Sequence, residues 1–265
     1  MNAWHDPALV SGSFDIADAD DQARVLRLAD SLLAGGRSRD ELERDARGDD
    51  LSIDLALAYK LALSRLDVVS IDWSGHLAIV FAMWGEQRRL RPRDVDNPTG
   101  EDSLHTKLNQ LDWLFGDTQV DWTLVPVDDG DPDDSAAIAI ERAAAHPLGD
   151  RVTVLRLADV VPAESGALST LASVDDSRKG GAIVLGALHA LDHGADAIVM
   201  TDADNSVHLG QVGALLGPFV GGDAGAVIGD RKHPDAVLVK AEARWGPGIV
   251  VLRHMQRMVG RALFD

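Results

Sequence analysis

The sequence predicts an α/β protein in which a doubly wound, mostly parallel sheet follows an N-terminal helical accessory region. The first 72 residues repeat apolar side chains at helical spacing. From His76 onward, short apolar runs alternate with helical segments, which is typical of strand–helix–strand units in a parallel sheet. The strand runs contain little polar alternation, as expected of strands that are covered on both faces.

Residues 1–72 are predicted to form the accessory region, and residues 73–265 the domain that contains the sheet. Two stretches of the accessory region, "DQARVLRLADSLLAG" and "SIDLALAYKLALSRL", place Leu, Ala, Val and Ile three and four residues apart. The charged stretch "GGRSRDELERDARGDD" separates them. Since this region holds no polar cluster at a strand end, we expect it to lie outside the sheet and away from the site.

The elements of the sheet domain follow from its apolar runs. Five of these runs are predicted as strands: "LAIVFAMW", "WTLVPVDD", "VTVLRLA", "AIVMTDAD" and "AVIGDR". Four intervening segments are predicted as helices: "SLHTKLNQLDWLFG", "DDSAAIAIERAAAH", "KGGAIVLGALHALDHG" and "VHLGQVGALLGPFV". A further helix, "IVVLRHMQRMVGRALF", comes last. The connection "GEQRRLRPRDVDNPTGED" is rich in proline and charge, so it is predicted as a mobile loop beside the strand ends.

Composition narrows the classes of function and the type of metal site. Forty-three acidic and 25 basic residues give a net charge of −18, which would repel nucleic acid and anionic lipid. Without cysteine, a metal must be held by oxygen or imidazole ligands, which favours Mg²⁺ or Mn²⁺. No apolar run is long enough to span a bilayer, and a cytoplasmic location is the default expectation. The oligomeric state stays open, a homo-oligomer included.

Two polar clusters at predicted strand ends have both structural and functional interpretations. In "VPVDDGDPDDS", Asp128 and Asp129 follow a strand, and the stretch alone reads most simply as an acidic turn that caps the next helix. In "SRKGGAIVLGA", Lys179 precedes two glycines at a helix start, where an ammonium and free backbone N–H groups could meet a phosphate. By itself this second signal is weak, because the spacing is not that of a P-loop.

The stretch "TDADNS" is the strongest cluster. Asp202 and Asp204 stand one residue apart at the end of an apolar strand, and both can approach one divalent ion if the chain bends there. Such hard oxygen ligands suit Mg²⁺ or Mn²⁺ bound to a diphosphate. A solvated acidic turn is an equally good reading of this stretch taken alone.

These clusters, in this order, resemble the inverting family-2 glycosyltransferases of GT-A fold, among them the dolichyl-phosphate-mannose-synthase-like enzymes. The resemblance runs from about Leu77 to Arg231. It consists of five elements in register: "FAMWGEQ", "VDDGDPDDS", "RKGGAIVLGA", "TDADNS" and "VIGDR". The segments "VDDG", "KGGA" and "DAD" carry most of its weight.

The resemblance implies a role for each matching residue. Glu86 and Asp129 would contact the nucleoside with Asp128 beside them, and Asp202 would lie near the ribose and the metal. Asp204 would ligate the metal. Two further residues would lie towards the phosphates: Lys179 and Arg231.

The implied activity is metal-dependent transfer of a sugar from a nucleoside-diphosphate sugar to an unknown acceptor, with inversion. The family usually continues into a segment that carries acceptor contacts and often the catalytic base, and we expect that segment to be missing here. No residue is assigned as the base. Two alternatives remain: a haloacid-dehalogenase-like phosphatase, suggested by an aspartate pair after an apolar strand, and a nucleotide-binding or regulatory module without turnover.

Histidine and tryptophan add few candidates. His208 is predicted to be a polar surface group rather than a metal ligand. His189 and His193 share a helix face but lie far from the strand carboxyl ends. Core packing is the expected role of Trp113 and Trp122, whereas Trp84, beside Glu86, is a candidate for stacking on a base.

Overall fold

A four-stranded parallel sheet with helices on both faces forms the centre of the protein. The computed structural model describes residues 5–48, 50–222, 224–230, 233, 235–237 and 239. Its strands are β1 (His76–Met83), β2 (Asp121–Asp128), β3 (Leu155–Arg156) and β4 (Ala197–Met200). Its helices are α1 (Ala19–Ala34), α2 (Arg39–Ala46), α3 (Ile53–Ser70), α4 (Ser103–Phe115), α5 (Ser135–Ala144), α6 (Gly180–Asp192) and α7 (Gly213–Gly221). The predicted α/β class and parallel sheet are therefore confirmed.

The strand order is β3-β2-β1-β4, and every pair is parallel. The chain builds outward from β1 through β2 to β3, then crosses back through α6 and places β4 on the other side of β1. In an open parallel sheet, such a reversal of strand order leaves a crevice at the carboxyl ends of the strands, where ligands bind. Here the reversal lies between β1 and β4.

Side chains of the strands point alternately to the two faces of the sheet, and each face packs in a separate hydrophobic core. On one face, Ile79 and Phe81 of β1 pack with Leu104 and Leu108 of α4. On the other face, strand valines pack beneath α6. Gly186 permits this second contact, because a Cβ there would lie 2.4 Å from Cγ1 of Val80. Helices on both faces make the sheet doubly wound, as predicted.

The described residues before His76 form helices and contribute no strand to the sheet. Helix α3 packs against α1, α2 and α7, and α1 is joined to α4 by a hydrogen bond from Nε2 of Gln110 to Oε1 of Gln22, at 2.9 Å. The described residues as far as Gly229 belong to one compact unit. The helical character predicted for residues 1–72 is thus present, and these helices pack within the unit that contains the sheet.

Helix α2 lies in the charged stretch that separates the two predicted helices. Its signal is a capping box: the side chain of Ser38 accepts from the backbone N–H of Glu41, and the Glu41 carboxylate accepts from the N–H of Ser38. Only Leu42 of this helix is buried. A helix with one buried residue shows almost no apolar periodicity, so the spacing of apolar residues does not predict α2.

Two predicted strands differ from the structure. The run at 152–158 forms a strand only at Leu155–Arg156, with an isolated bridge from Val152 to Leu124. The run at 226–231 was predicted as a fifth strand, and residues 226–230 contain no strand. Arg231 and the predicted helix at 249–264 lie outside the described residues.

Across the described part of the chain, no helix combines the length and apolar character needed to cross a membrane.

His208 is buried, so the prediction of a surface group is wrong. The residue directly precedes a 3-10 turn at Leu209–Gln211 and caps it. Its Nδ1 accepts a hydrogen bond from the backbone N–H of Gly210 at 3.1 Å. Its Nε2 has no hydrogen-bond partner among the described residues. Burial lowers the pKa of His208 to about 3, because a charged imidazolium would lose its hydration there.

We expect His208→Asn to remove an acid-sensitive component of stability. The unfolded chain takes up a proton on this histidine near pH 6.5, whereas the native protein does not until about pH 3. Relative to the variant, the unfolding free energy of the wild type should fall by about 1.4 kcal/mol for each pH unit below about pH 6. Urea unfolding of both proteins at pH 7, 6 and 5 measures the difference. A constant difference would show that His208 titrates normally.

Gly186→Ala should destabilise the protein by about 1–3 kcal/mol, because the new methyl group would overlap Val80 and force α6 away from the sheet. The matched control is Gly221→Ala at the end of α7, where a Cβ would meet no atom within 4 Å. That control should change the unfolding free energy by no more than about 0.5 kcal/mol. Equal losses in the two variants would rule out the close approach of α6 to β1.

Candidate functional site

A pocket of about 260 Å³ lies at the reversal of strand order. The end of β1, the residues that follow β1, β2 and β4, and the start of α6 form its walls: Ala82, Trp84, Glu86, Asp129, Lys179, Asp202, Ala203 and Asp204. Five charged residues singled out by the sequence motifs, and the stacking candidate Trp84, therefore line one cavity. Asp128 does not line it, and Arg231 lies outside the described residues.

A larger cleft of about 450 Å³ lies beside the carboxyl-terminal half of α5. Its lining includes Ile140, Ala143, Pro147 and Val152. Helix α5 begins at the carboxyl ends of the strands and runs away from them, so this cleft lies away from the strand ends. The smaller pocket is the candidate site, because polar side chains from four segments of the chain converge there.

Asp129 links the end of β2 to the start of α6. One of its carboxylate oxygens accepts the hydroxyl of Ser177, and the other accepts the backbone N–H of Lys179. The residue is only 8% exposed. A carboxylate has about four acceptor positions, so Asp129 can still accept a hydrogen bond from a ligand in the pocket.

Asp128 has a local role. Its Oδ1 accepts the backbone N–H groups of Gly130 and Asp131, both at 2.9 Å. These bonds close the turn that leads from β2 towards α5, and Gly130 takes the left-handed backbone conformation that the turn requires. The structure thus supports the turn interpretation for Asp128 and places Asp129 in the pocket.

Glu86 enters the pocket already paired with a cation. Both of its carboxylate oxygens accept from a single guanidinium nitrogen of Arg89, at 2.8 and 3.1 Å. Its backbone N–H donates to the hydroxyl of Ser135 at the start of α5. Arg89 belongs to the loop at 85–102, so this loop contributes a cation to the edge of the site.

Lys179 and Asp202 form an ion pair across the pocket. Both side chains are more than half exposed, so the pair contributes little to stability and can open at small cost. The backbone of Lys179 has a positive φ of 81°, a conformation that its bond to Asp129 helps to hold. The start of α6 and the end of β4 therefore present opposite charges to the same cavity.

Asp204 lies in the turn after β4, where its Oδ1 accepts the backbone N–H of Ser206 at 3.0 Å. Burial raises the pKa of Asp204, but hydrogen bonds from Ser206 and the charges of Lys107 and Arg89 outweigh burial. The pKa consequently lies below its ordinary value. Asp204 is therefore ionised at neutral pH and can serve as an oxygen ligand.

Lys107 lies behind the pocket wall, and the sequence motifs do not reveal it. It lies on α4 and is 1% exposed, and its Nζ donates to the backbone carbonyls of Ala203 and Asp204. Burial lowers its pKa to about 8, although the neighbouring carboxylates act in the opposite direction. Lysine is rarely buried to this extent unless it is paired.

The pocket suits a divalent cation by the chemistry of its donors. Among the described residues, no group of three or more His, Asp or Glu side chains is arranged around a common metal position. Asp202 and Asp204 nevertheless line the same cavity. Mg²⁺ is commonly held by one or two carboxylates, with water and substrate phosphates completing its oxygen ligands. These two residues fit that pattern.

Three tryptophans of the sheet domain differ in burial. Trp84 is 62% exposed at the pocket wall, where its ring is available to stack on a planar ligand. Trp122 is buried in the core. Trp113 packs at the edge of the core and donates to Oδ1 of Asp30 at 2.9 Å.

Comparisons of the chain with protein-family models, with curated proteins and with solved structures give no match.

We expect Asp129→Asn to lower the unfolding free energy by about 1–2 kcal/mol, because a neutral amide replaces the charged acceptor of the hydrogen bonds from Ser177 and from the N–H of Lys179. The control is Asp133→Asn in the same loop, an exposed residue whose oxygen accepts from Gln87. That change should cost less than about 0.5 kcal/mol. Denaturant unfolding of the pair decides whether Asp129 holds α6 to β2.

Proposed function

We propose that the protein is a metal-dependent glycosyltransferase of GT-A type that uses a nucleoside-diphosphate sugar as donor and inverts the anomeric centre. One observation carries this proposal: five residues from four separate motifs line one pocket at the reversal of strand order. Each motif taken alone has a simple structural explanation. Their convergence on the crevice where parallel sheets bind ligands supports the functional one.

The pocket has one part suited to a nucleoside and another suited to a diphosphate. Glu86 and Asp129 offer carboxylate oxygens to base N–H groups or ribose hydroxyls, and Trp84 offers an exposed ring. Asp202 and Asp204 supply ligands for Mg²⁺ or Mn²⁺, while Lys179 supplies a cation. We also assign Arg231, from the motif, to the phosphates. An acidic protein needs such local cations to bind an anionic donor.

The chemistry of this site is stabilisation of a leaving group. As the bond between sugar and diphosphate breaks, negative charge grows on the diphosphate, and a bound divalent cation would offset part of it. The ammonium group of Lys179, at the start of α6, would offset a further part of that negative charge. Asp202 and Asp204, on the acidic side of the pocket, would bind that divalent cation. The acceptor and the base that deprotonates it are unassigned, and the cytoplasmic location stays a prediction.

The position of β4 disfavours the phosphatase alternative. In the dehalogenase-like phosphatases the nucleophilic aspartate follows a strand that opens the domain, whereas Asp202 follows the fourth strand of this sheet. Within the described residues, β4 also lies at an edge of the sheet. A module that binds nucleotide without turnover has the same pocket and differs only in the absence of transfer.

Asp204→Ala should abolish the metal dependence of nucleotide binding, because one of the two carboxylate ligands is lost. Calorimetric titration of a nucleoside diphosphate in Mn²⁺ should show binding weaker by about tenfold or more than in the wild type. Asp20→Ala, at an exposed aspartate of α1, should leave the affinity unchanged. Wild-type affinity that is identical in Mn²⁺ and in chelator would remove the metal from the proposal.

Base dependence and donor hydrolysis together separate the three candidate functions. The uridine, guanosine, adenosine and thymidine diphosphates are titrated against the wild type, Asp129→Asn and Asp204→Ala. A glycosyltransferase should prefer one base, lose that preference in Asp129→Asn, and weaken uniformly in Asp204→Ala. A phosphatase predicts no base dependence. Hydrolysis of the matching sugar donor then separates an enzyme from a binding module.

A further inference from the structure

Lys107 is a buried cation directly beneath the pocket. Its Nζ lies 3.1 Å from the carbonyl oxygen of Ala203 and 2.5 Å from that of Asp204, and 5.5 Å from the ring centre of Phe81. Removing an ammonium group from water is costly unless hydrogen bonds and opposite charges replace its hydration. Two carbonyls and an aromatic face supply part of that replacement here.

Nearby carboxylates supply the rest of the stabilisation that replaces the hydration of the Lys107 ammonium group. Four carboxylates favour the charged form of Lys107 against the effect of burial: Asp204, Glu101, Asp202 and Glu86. These groups would otherwise repel one another. Lys107 is therefore a buried positive charge near these carboxylates, and its hydrogen bonds go to main-chain carbonyls of the turn that carries Asp204.

The turn after β4 is also held from a second direction. Oε2 of Glu101 accepts the backbone N–H of Asn205 at 2.8 Å, and the carbonyl of Glu101 accepts Nδ2 of Asn205 at 3.0 Å. Lys107 holds the two carbonyls that precede this amide. Helix α4 and the end of the loop at 85–102 thus fix consecutive peptide groups of the turn that carries Asp204.

We infer that Lys107 is a positioning residue that holds Asp204 ready for a cation by binding the two carbonyls of its turn. It does not touch the ligand, because its side chain lies beneath the turn and ends at main-chain oxygens. The ligand part of this inference rests on the proposed function. The structural part, the fixed turn, does not depend on it.

The structural part is tested without any ligand. Lys107→Met keeps an unbranched, flexible side chain, one atom shorter than lysine, that has neither charge nor donor. Lys60→Met makes the same substitution on α3, outside the pocket lining. Amide hydrogen exchange, measured by NMR, should be about tenfold faster at Asn205 and Ser206 in Lys107→Met than in Lys60→Met.

The amides of Gly130 and Asp131, which Asp128 binds, provide an internal reference because they belong to a different turn. They should exchange at the same rate in both variants. Unchanged exchange at Asn205 and Ser206, or equal acceleration in both turns, would overturn the inference. If Lys107→Met does not fold, Lys107→Gln replaces it, since its uncharged side chain is one atom shorter and cannot reach both carbonyls.

The ligand part is tested by a double-mutant cycle with a nucleoside diphosphate in Mn²⁺. Lys107→Met alone should weaken binding by about tenfold. If Lys107 acts through Asp204, the double variant should bind no more weakly than Asp204→Ala. Additive losses, or unchanged or tighter binding in Lys107→Met, would overturn this role. A wild type that binds no metal–nucleotide would refute the proposed function, while the exchange experiment would still decide the role of Lys107.

Discussion

Strand β4 pairs with β1, although the chain leaves β1 for β2, and the pocket depends on this pairing. If β4 had been added beyond β3, two strands, β2 and β3, would separate it from β1, and the turn that carries Asp202 and Asp204 would lie far from Glu86. The reversal instead brings the ends of β1 and β4 side by side. It also directs α6 across the sheet, so that Lys179 begins the helix at the same crevice. Topology, more than any single motif, makes one site from four segments.

The sequence predicts the parts of the site that carry local signals. Apolar runs covered on both faces identify β1, β2 and β4, and Asp129, Lys179 and Asp204 stand in motifs that can be read from neighbouring residues. Lys107 gives no such signal, because a lysine in an amphipathic helix ordinarily reads as solvated. Its burial depends on a turn almost one hundred residues later in the chain.

The errors have the same origin. A histidine at a turn reads locally as a polar surface group, but His208 is buried, and the 3-10 turn that follows it packs against α3 and α4. The run at 226–231 has the composition of a strand, and residues 226–230 do not form one. Composition and periodicity describe what a segment can do, whereas tertiary contacts decide which segments are paired or buried.

Two of the pocket carboxylates are paired with cations, and this pairing has a consequence for ligand binding. Arg89 binds Glu86, and Lys179 binds Asp202. A lone divalent cation would have to compete with Lys179 for Asp202, and a lone diphosphate would meet Lys179 already engaged. When both ligands bind, the cation contacts Asp202 and the phosphates contact Lys179. The ion pair between these two residues then opens only once for both ligands. On the proposed function, cation and diphosphate should therefore strengthen each other's binding, and by thermodynamic linkage they should do so by the same factor.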